Sequence, residues 1–405
     1  MIAYFGDVGT RIASRWEHVN FDNIRLPDIA CDVLASSPPG DNSSYDSIID
    51  WVVTTRDLPP QPGLNATFGQ PTITVFWHPR FSVEVLFWAT GTTAVHQHGF
   101  SGAFTLLEGT SLQSHYRFDV EHRVNAHMLV GTLSLRDVRL LSIRDVQPII
   151  SGPGLIHSVF HLESPTVTAL VRTHTDVEQQ PQYNYHRPHL AIDPVYEDAV
   201  ATRRVQVLEL LARVESERYE DVAAMALQHA DLFGTFQLLK SLRSALDSSD
   251  AFDRLVGVAR QRHGPCVDKL RAVTEEVERE RILTALRHKF TAPHARFLLA
   301  LLLNVPSREG ILTLVGQRYP GTDPKATCAR LAFDLSGADT SGIEFDELNQ
   351  SLFRLLMDGL PVPDVLGRLS REYDRDDIER LRPQLEAQCA AMRTSNMFGV
   401  LLAEA

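Results

Sequence analysis

The chain has 405 residues, 44% of them hydrophobic and 22% charged, which suits a folded protein of two or three domains. A formal net charge of −12 argues against nucleic acid or an anionic membrane as the main partner. The apolar run "FLLALLLNV" is about half the length needed to span a bilayer, so no membrane segment is expected.

The start, "MIAYFGDVGTRIASRW", lacks a basic stretch followed by a long apolar core, so no secretory leader is expected. "PDIACDVLAS" and "YDSIIDWVVTT" read as short helices, separated and followed by the loops "SSPPGDNSS" and "LPPQPG". From there the chain is rich in β-branched and aromatic residues. "TITVFWH", "FSVEVLFWA", "GAFTLLEG", "SLQSHYRFDV", "VGTLSLRDVRLLSI" and "TVTALVRTH" read as short strands between turn signals. Many short strands at close spacing predict a sandwich or barrel. "QQPQYNYHRPHLAIDP" (179–194) carries three prolines and reads as a connecting arm.

After Tyr196 the period changes. Apolar residues recur every three or four positions and charges fill the other faces, which predicts helices. Strands first and helices later give an α+β multidomain chain. The division expected is 1–190 for the β-domain with flanking helices, 191–296 for a helical domain and 297–405 for a tandem repeat. In the repeat, 297–335 matches 351–389 at an offset of 54, with Leu298/Leu352, Leu301/Leu355, Leu302/Leu356, Leu312/Leu366, Tyr319/Tyr373, Asp323/Asp377 and Leu331/Leu385 identical. Each copy reads as a small tri-helical, winged-helix-like unit. Residues 297–405 hold 11 Lys and Arg against 16 Asp and Glu, so DNA is a poor partner and dimerisation or peptide or protein binding is the expected use.

The four cysteines, Cys31, Cys266, Cys328 and Cys389, are far apart and form no C-x-x-C, which suits buried thiols and a cytoplasmic location. No P-loop, G-x-G-x-x-G, G-x-S-x-G or H-E-x-x-H occurs, and "DLSGADTSGIEFDE" lacks calcium-loop spacing. The chemistry is concentrated elsewhere. His96 and His98 are two apart on an expected strand, so both imidazoles face one side. Paired imidazoles inside a barrel point to a metal such as iron, zinc, copper or nickel.

The stretch "GTTAVHQHGFSGAFTLLEG" resembles the first motif of the cupin superfamily: Gly91, the H-x-H pair and the closing Gly109. Gly102 stands where that family's carboxylate is usual. "SGPGLIHSVFH" is similar to the second motif, with Pro153 and Gly154 in the turn, His157 as the histidine and His161 at the family's Asn position. The resemblance implies a cupin β-barrel (jelly roll) and a ligand set of His96, His98 and His157 without a carboxylate. "FSVEVLFWATGTTAVHQHGFSGAFTLLEGTSL" further resembles cysteine dioxygenase and related thiol dioxygenases, over about residues 70–175. That implies a mononuclear non-haem Fe(II) oxygenase using O2 on a small thiol or other small anionic metabolite, with zinc, nickel or manganese as the alternative metals. Three neutral ligands leave the metal its full charge, which favours an anionic substrate. Ala103 stands where some members carry a crosslinking cysteine. The family's inward Ser-x-His-x-Tyr aligns with Thr168, Leu170 and Arg172, which makes Thr168 a retained hydroxyl and Arg172 a candidate for a substrate carboxylate. His161 and His174 are further candidates for contact with substrate or ligands. The tandem unit resembles the helical modules of PqqD-like and ribosomal-oxygenase-like proteins, which implies a homodimer or a peptide partner. The alternative reading is a degenerate or sensing metal-binding cupin whose helical half binds a peptide or partner protein.

Overall fold

The structure is a computed structural model that describes residues 1–64, 68–89, 92–174, 176–179, 181–246, 248–336 and 346–402. The chain forms two compact units, Met1–Glu278 and Arg279–Ala405.

The first unit opens with helices α1 (Ile2–Glu17), α2 (Leu26–Ser36), α3 (Pro39–Asn42) and α4 (Tyr45–Thr54). Strands follow: β1 (Thr72–His78), β2 (Phe81–Trp88), β3 (Val95–His98), β4 (Gly102–Glu108), β5 (Ser111–Arg123) and β6 (Met128–Leu141). Then come β7 (Val146–Ile149), β8 (Gly152–His161), β9 (Thr166–Thr173), β10 (Asn184–His186) and β11 (Leu190–Ile192). The helices expected around 27–36 and 45–55 are α2 and α4. Helix α1 was not expected, although Phe5, Val8, Ile12 and Trp16 recur at helical spacing and form its buried face. Gly9 belongs to that face because any side chain there would run into the Phe76 ring of β1.

The strands make a five-stranded sheet, β1-β2-β9-β4-β7, and a closed six-stranded barrel, β10-β11-β6-β5-β8-β3. Every residue of β2 is buried. The reason is that the sheet is covered on both faces. Phe81, Val83, Val85 and Phe87 pack with α1, α2 and α4, together with Val167, Ala169 and Val171 of β9. On the opposite face Leu86, Trp88, Phe104 and Leu170 pack with Val159 of β8. That inner face is where the candidate site lies.

The proline-bearing arm is a correction. Asn184–His186 and Leu190–Ile192 form an antiparallel hairpin, and β10 pairs with β3 through Asn184↔His96 and Tyr185↔Val95, which closes the barrel. Pro181 and Pro188 lie outside the two strands, so no ladder hydrogen bond is lost.

Helices α5 (Ala199–Arg213), α6 (Tyr219–His229), α7 (Leu232–Ala245), α8 (Ser249–His263) and α9 (Cys266–Lys289) come next. Up to Val273 they share one apolar cluster with Met128 and Val130 of β6 and Leu190 and Ile192 of β11. The strands and the helices as far as Glu278 are thus one folded body.

The second unit holds α10 (Pro293–Asn304), α11 (Arg308–Arg318), α12 (Pro324–Ser336), α13 (Glu347–Leu356), α14 (Val362–Glu372), α15 (Arg375–Thr394) and α16 (Gly399–Leu402). The offset of 54 carries α11 onto α14 residue for residue, α10 onto α13 and α12 into α15. Tyr319 and Tyr373 cap α11 and α14, and Leu298, Leu352, Leu302 and Leu356 are buried. No strand occurs among the described residues of this unit. Among the described residues no helix is long and apolar enough to cross a membrane.

Candidate metal centre

Strand geometry brings the triad together. His96 and His98 point from β3 toward the five-stranded sheet, while Val95 faces the other way, into a cluster to which all six barrel strands contribute. On β8, His157 lies directly opposite His96 in register. One ring nitrogen from each of His96, His98 and His157 falls within 4.8 Å of the others. The Nε2 atoms of His98 and His157 are 2.9 Å apart. Two imidazoles bound at right angles to one first-row metal, with bonds of about 2.1 Å, would bring their nitrogens to about 3.0 Å. The donor set therefore fits a metal ion.

All three rings are buried, with 6%, 5% and 3% of the surface of His96, His98 and His157 exposed. Burial lowers the His96 pKa and pushes those of His98 and His157 well down. The other two histidines and the charge of Arg172 add to the effect at His98, and His96 and His115 add to it at His157. The imidazoles are held neutral, the form that binds metals.

Neighbours fix how the rings face. His96 Nδ1 is 2.9 Å from the Ala94 carbonyl oxygen, which only accepts, so Nδ1 carries the proton and Nε2 keeps its lone pair. His157 Nδ1 is 2.9 Å from the side-chain amide of Gln113, which is fully buried on β5. The amide nitrogen faces the ring and Oε1 has no hydrogen-bond partner. The two ends of an amide are nearly isosteric. A half-turn puts Oε1 on Nδ1–H, and His157 Nε2 is then free to bind a metal. Gln113 was not foreseen in the sequence, where nothing marks which face of β5 it takes.

A cavity of about 50 Å³ lies against the triad. Its other walls come from Leu86, Trp88, Phe100, Phe104, Val159 and Leu170, with Phe68 at 4.9 Å from the Trp88 ring. His161 and Thr168 also line it. The His161 ring stacks on Trp88 at 4.5 Å, and its Nδ1 is 2.9 Å from Ser111 Oγ. Thr168 Oγ1 accepts a hydrogen bond from Trp88 Nε1 at 3.0 Å. A vestibule of about 240 Å³ shares Phe68, Trp88, Thr93 and His96 with this cavity and carries the amides of Gln182 and Asn184.

Two of the candidates lie away from that space. Arg172 is not among the cavity's lining residues. Its guanidinium sits 4.1 Å from the Phe100 ring centroid and donates to the Thr173 and His174 carbonyl oxygens. His174 stacks on Trp77 at 4.2 Å and donates from Nε2 to the His78 carbonyl oxygen. Ala103 faces the helix-covered side of the sheet. Gly91 lies outside the described residues.

Gly102 has a steric explanation. A Cβ there would overlap the carbonyl oxygen of Val171 on the neighbouring strand β9. No carboxylate side chain can occupy that position in this sheet.

The barrel and the His96, His98 and His157 cluster fit a cupin-like fold. No protein-family model matches the chain, and no curated protein matches it.

Proposed function

We propose that this protein is a cupin-type oxygenase that holds Fe(II) on His96, His98 and His157 and acts with O2 on a small thiol or other small molecule with an anionic donor. The observation that carries the reading is the convergence of three buried imidazoles on the wall of an apolar cavity. A redox-active ion would supply open coordination positions and one-electron steps, which zinc would not.

The chain's own residues do the rest. The Ala94 carbonyl holds the Nδ1 proton of His96, and the Gln113 amide, turned so that Oε1 faces the ring, holds that of His157, so that Nε2 of each points to a common centre. Leu86, Phe104, Val159 and Leu170 exclude water from that centre, which strengthens any charge interaction within it. Without a carboxylate ligand the centre would keep two positive charges, and an anionic donor would offset one of them. His161, steadied by Ser111 and Trp88, sits in the same cavity, where an imidazole can accept or return a substrate proton.

The test is metal analysis of the purified protein with oxygen consumption across a panel of small thiols. One iron per chain and thiol-dependent oxygen uptake, both lost in His96→Ala, are expected. Oxygen uptake that survives His96→Ala would sink the reading.

A further inference from the structure

We infer that the substrate of this site is an uncharged, apolar small molecule apart from the single anionic atom it presents to the metal. This rests on the metal-site reading above and deepens it.

The walls carry the argument. Among the described residues that line the cavity and its vestibule, no Lys, Arg, Asp or Glu occurs. The polar groups there are histidines, threonines and side-chain amides, and Thr168 already serves the Trp88 indole. A second charge on the substrate, such as an amino acid's ammonium or carboxylate, would be buried without an ion partner in the walls.

Arg172 does not supply one. Strand alternation turns it to the same face as Thr168 and Leu170, but Phe100 occupies the space beside it. The Phe100 ring lies against both the guanidinium, at 4.1 Å, and the His98 ring, at 4.6 Å. The guanidinium donors are turned to the Thr173 and His174 carbonyls, and the buried Glu84 carboxylate supports its charge. The cation is thus satisfied by the protein.

The metal's own charge is the remaining electrostatic demand. One thiolate or enolate-type oxygen takes up one unit of it, and the rest of the ligand meets Leu86, Phe104, Ile149, Val159 and Leu170.

The experiment uses the full chain loaded with Co(II) under argon. Two probes of matched size are titrated: 3-methylbutane-1-thiol, and 3-mercaptopropionate, which has a carboxylate where the first has two methyls. Dissociation constants are read from the sulfur-to-cobalt absorption band. The expected result is at least about tenfold tighter binding of 3-methylbutane-1-thiol, the size expected for leaving one charge unpaired in an apolar site. In Arg172→Met that preference should stay within about twofold. Equal or tighter binding of 3-mercaptopropionate by cobalt-loaded protein overturns this inference and leaves the metal site standing. A preference that grows tenfold in Arg172→Met, through loss of 3-mercaptopropionate binding, also overturns it. If the wild-type protein holds no cobalt, or His96→Ala holds as much, the metal reading itself fails and this inference falls with it.

Discussion

Gln113 is the residue whose removal should separate metal affinity from folding. Its amide is the partner of His157 Nδ1, and such partners set ring orientation and ligand basicity. Gln113→Leu keeps the volume roughly and removes the hydrogen bond, so metal affinity should fall about 10–100-fold. Competition with a chromogenic chelator measures this, and an unchanged affinity would exclude the orienting role. Gly102 gives a second expectation at this scale. Gly102→Glu restores the residue type that the resemblance leads one to expect there, yet its Cβ would overlap Val171. It should therefore add no ligand, and should destabilise the protein by at least about 1–3 kcal/mol through overpacking. Urea unfolding and metal stoichiometry check both halves. His96 and His98 were legible in the sequence because a period of two needs no tertiary information. His157 was legible only through the resemblance. Gln113 was not, because a glutamine in a mixed strand looks the same whether it faces solvent or a histidine. The reading of Arg172 was limited in the same way: alternation gives the face of a strand but not the ring of Phe100 that lies against the guanidinium.

At the scale of elements, the β10–β11 hairpin completes the barrel and carries an acid-sensitive contact. His186 on β10 lies 5.8 Å from the Phe236 ring of α7, and burial, with the charge of Lys240 on the same helix, lowers its pKa to about 4. In the unfolded chain it titrates near the ordinary value of about 6.5. Between those values the unfolded chain binds the extra proton, so stability falls as pH drops from about 6.5 to about 4. One histidine shifted this far contributes no more than about 3 kcal/mol. His78, His96, His98, His157 and His263 are lowered too and act with the same sign. His186→Gln removes one share only. Its urea midpoint should fall less than that of the wild type between pH 6.5 and pH 4.5, and parallel curves would refute the assignment. This hairpin was hidden in the sequence because three prolines dominate its composition. The prolines in fact stand outside the paired residues, where a missing N–H costs nothing. The strand β2 was easier, since β-branched and aromatic residues bounded by turns read as a strand, although nothing in the sequence marks Ser82 and Glu84 as buried on its second face.

For the whole molecule, charge and repeat lead to different expectations, which a binding experiment separates. The second unit repeats three helices at an offset of 54, a pattern visible beforehand because buried leucines and the capping tyrosines recur with it. Helix pairs of this kind suit DNA when a helix presents lysines and arginines to phosphate. Here residues 297–405 carry 11 basic against 16 acidic side chains, within a chain of net charge −12. Several of those arginines are also spent on neighbouring acids: Arg354 on Glu372, Arg368 on Asp358, Arg380 on Asp377 and Arg382 on Glu379. Affinity for a duplex grows with the number of phosphates neutralised and the counterions released, and a surface with this balance releases few. The full chain should therefore not retard a short DNA duplex at micromolar protein and about 150 mM salt, a condition in which non-specific DNA-binding proteins reach Kd values of about 1–100 μM. Gel retardation with a fluorescent duplex of random sequence measures this. A shift that strengthens as salt is lowered, with the steep slope of multiple phosphate contacts, would mean that a local basic surface outweighs the net charge.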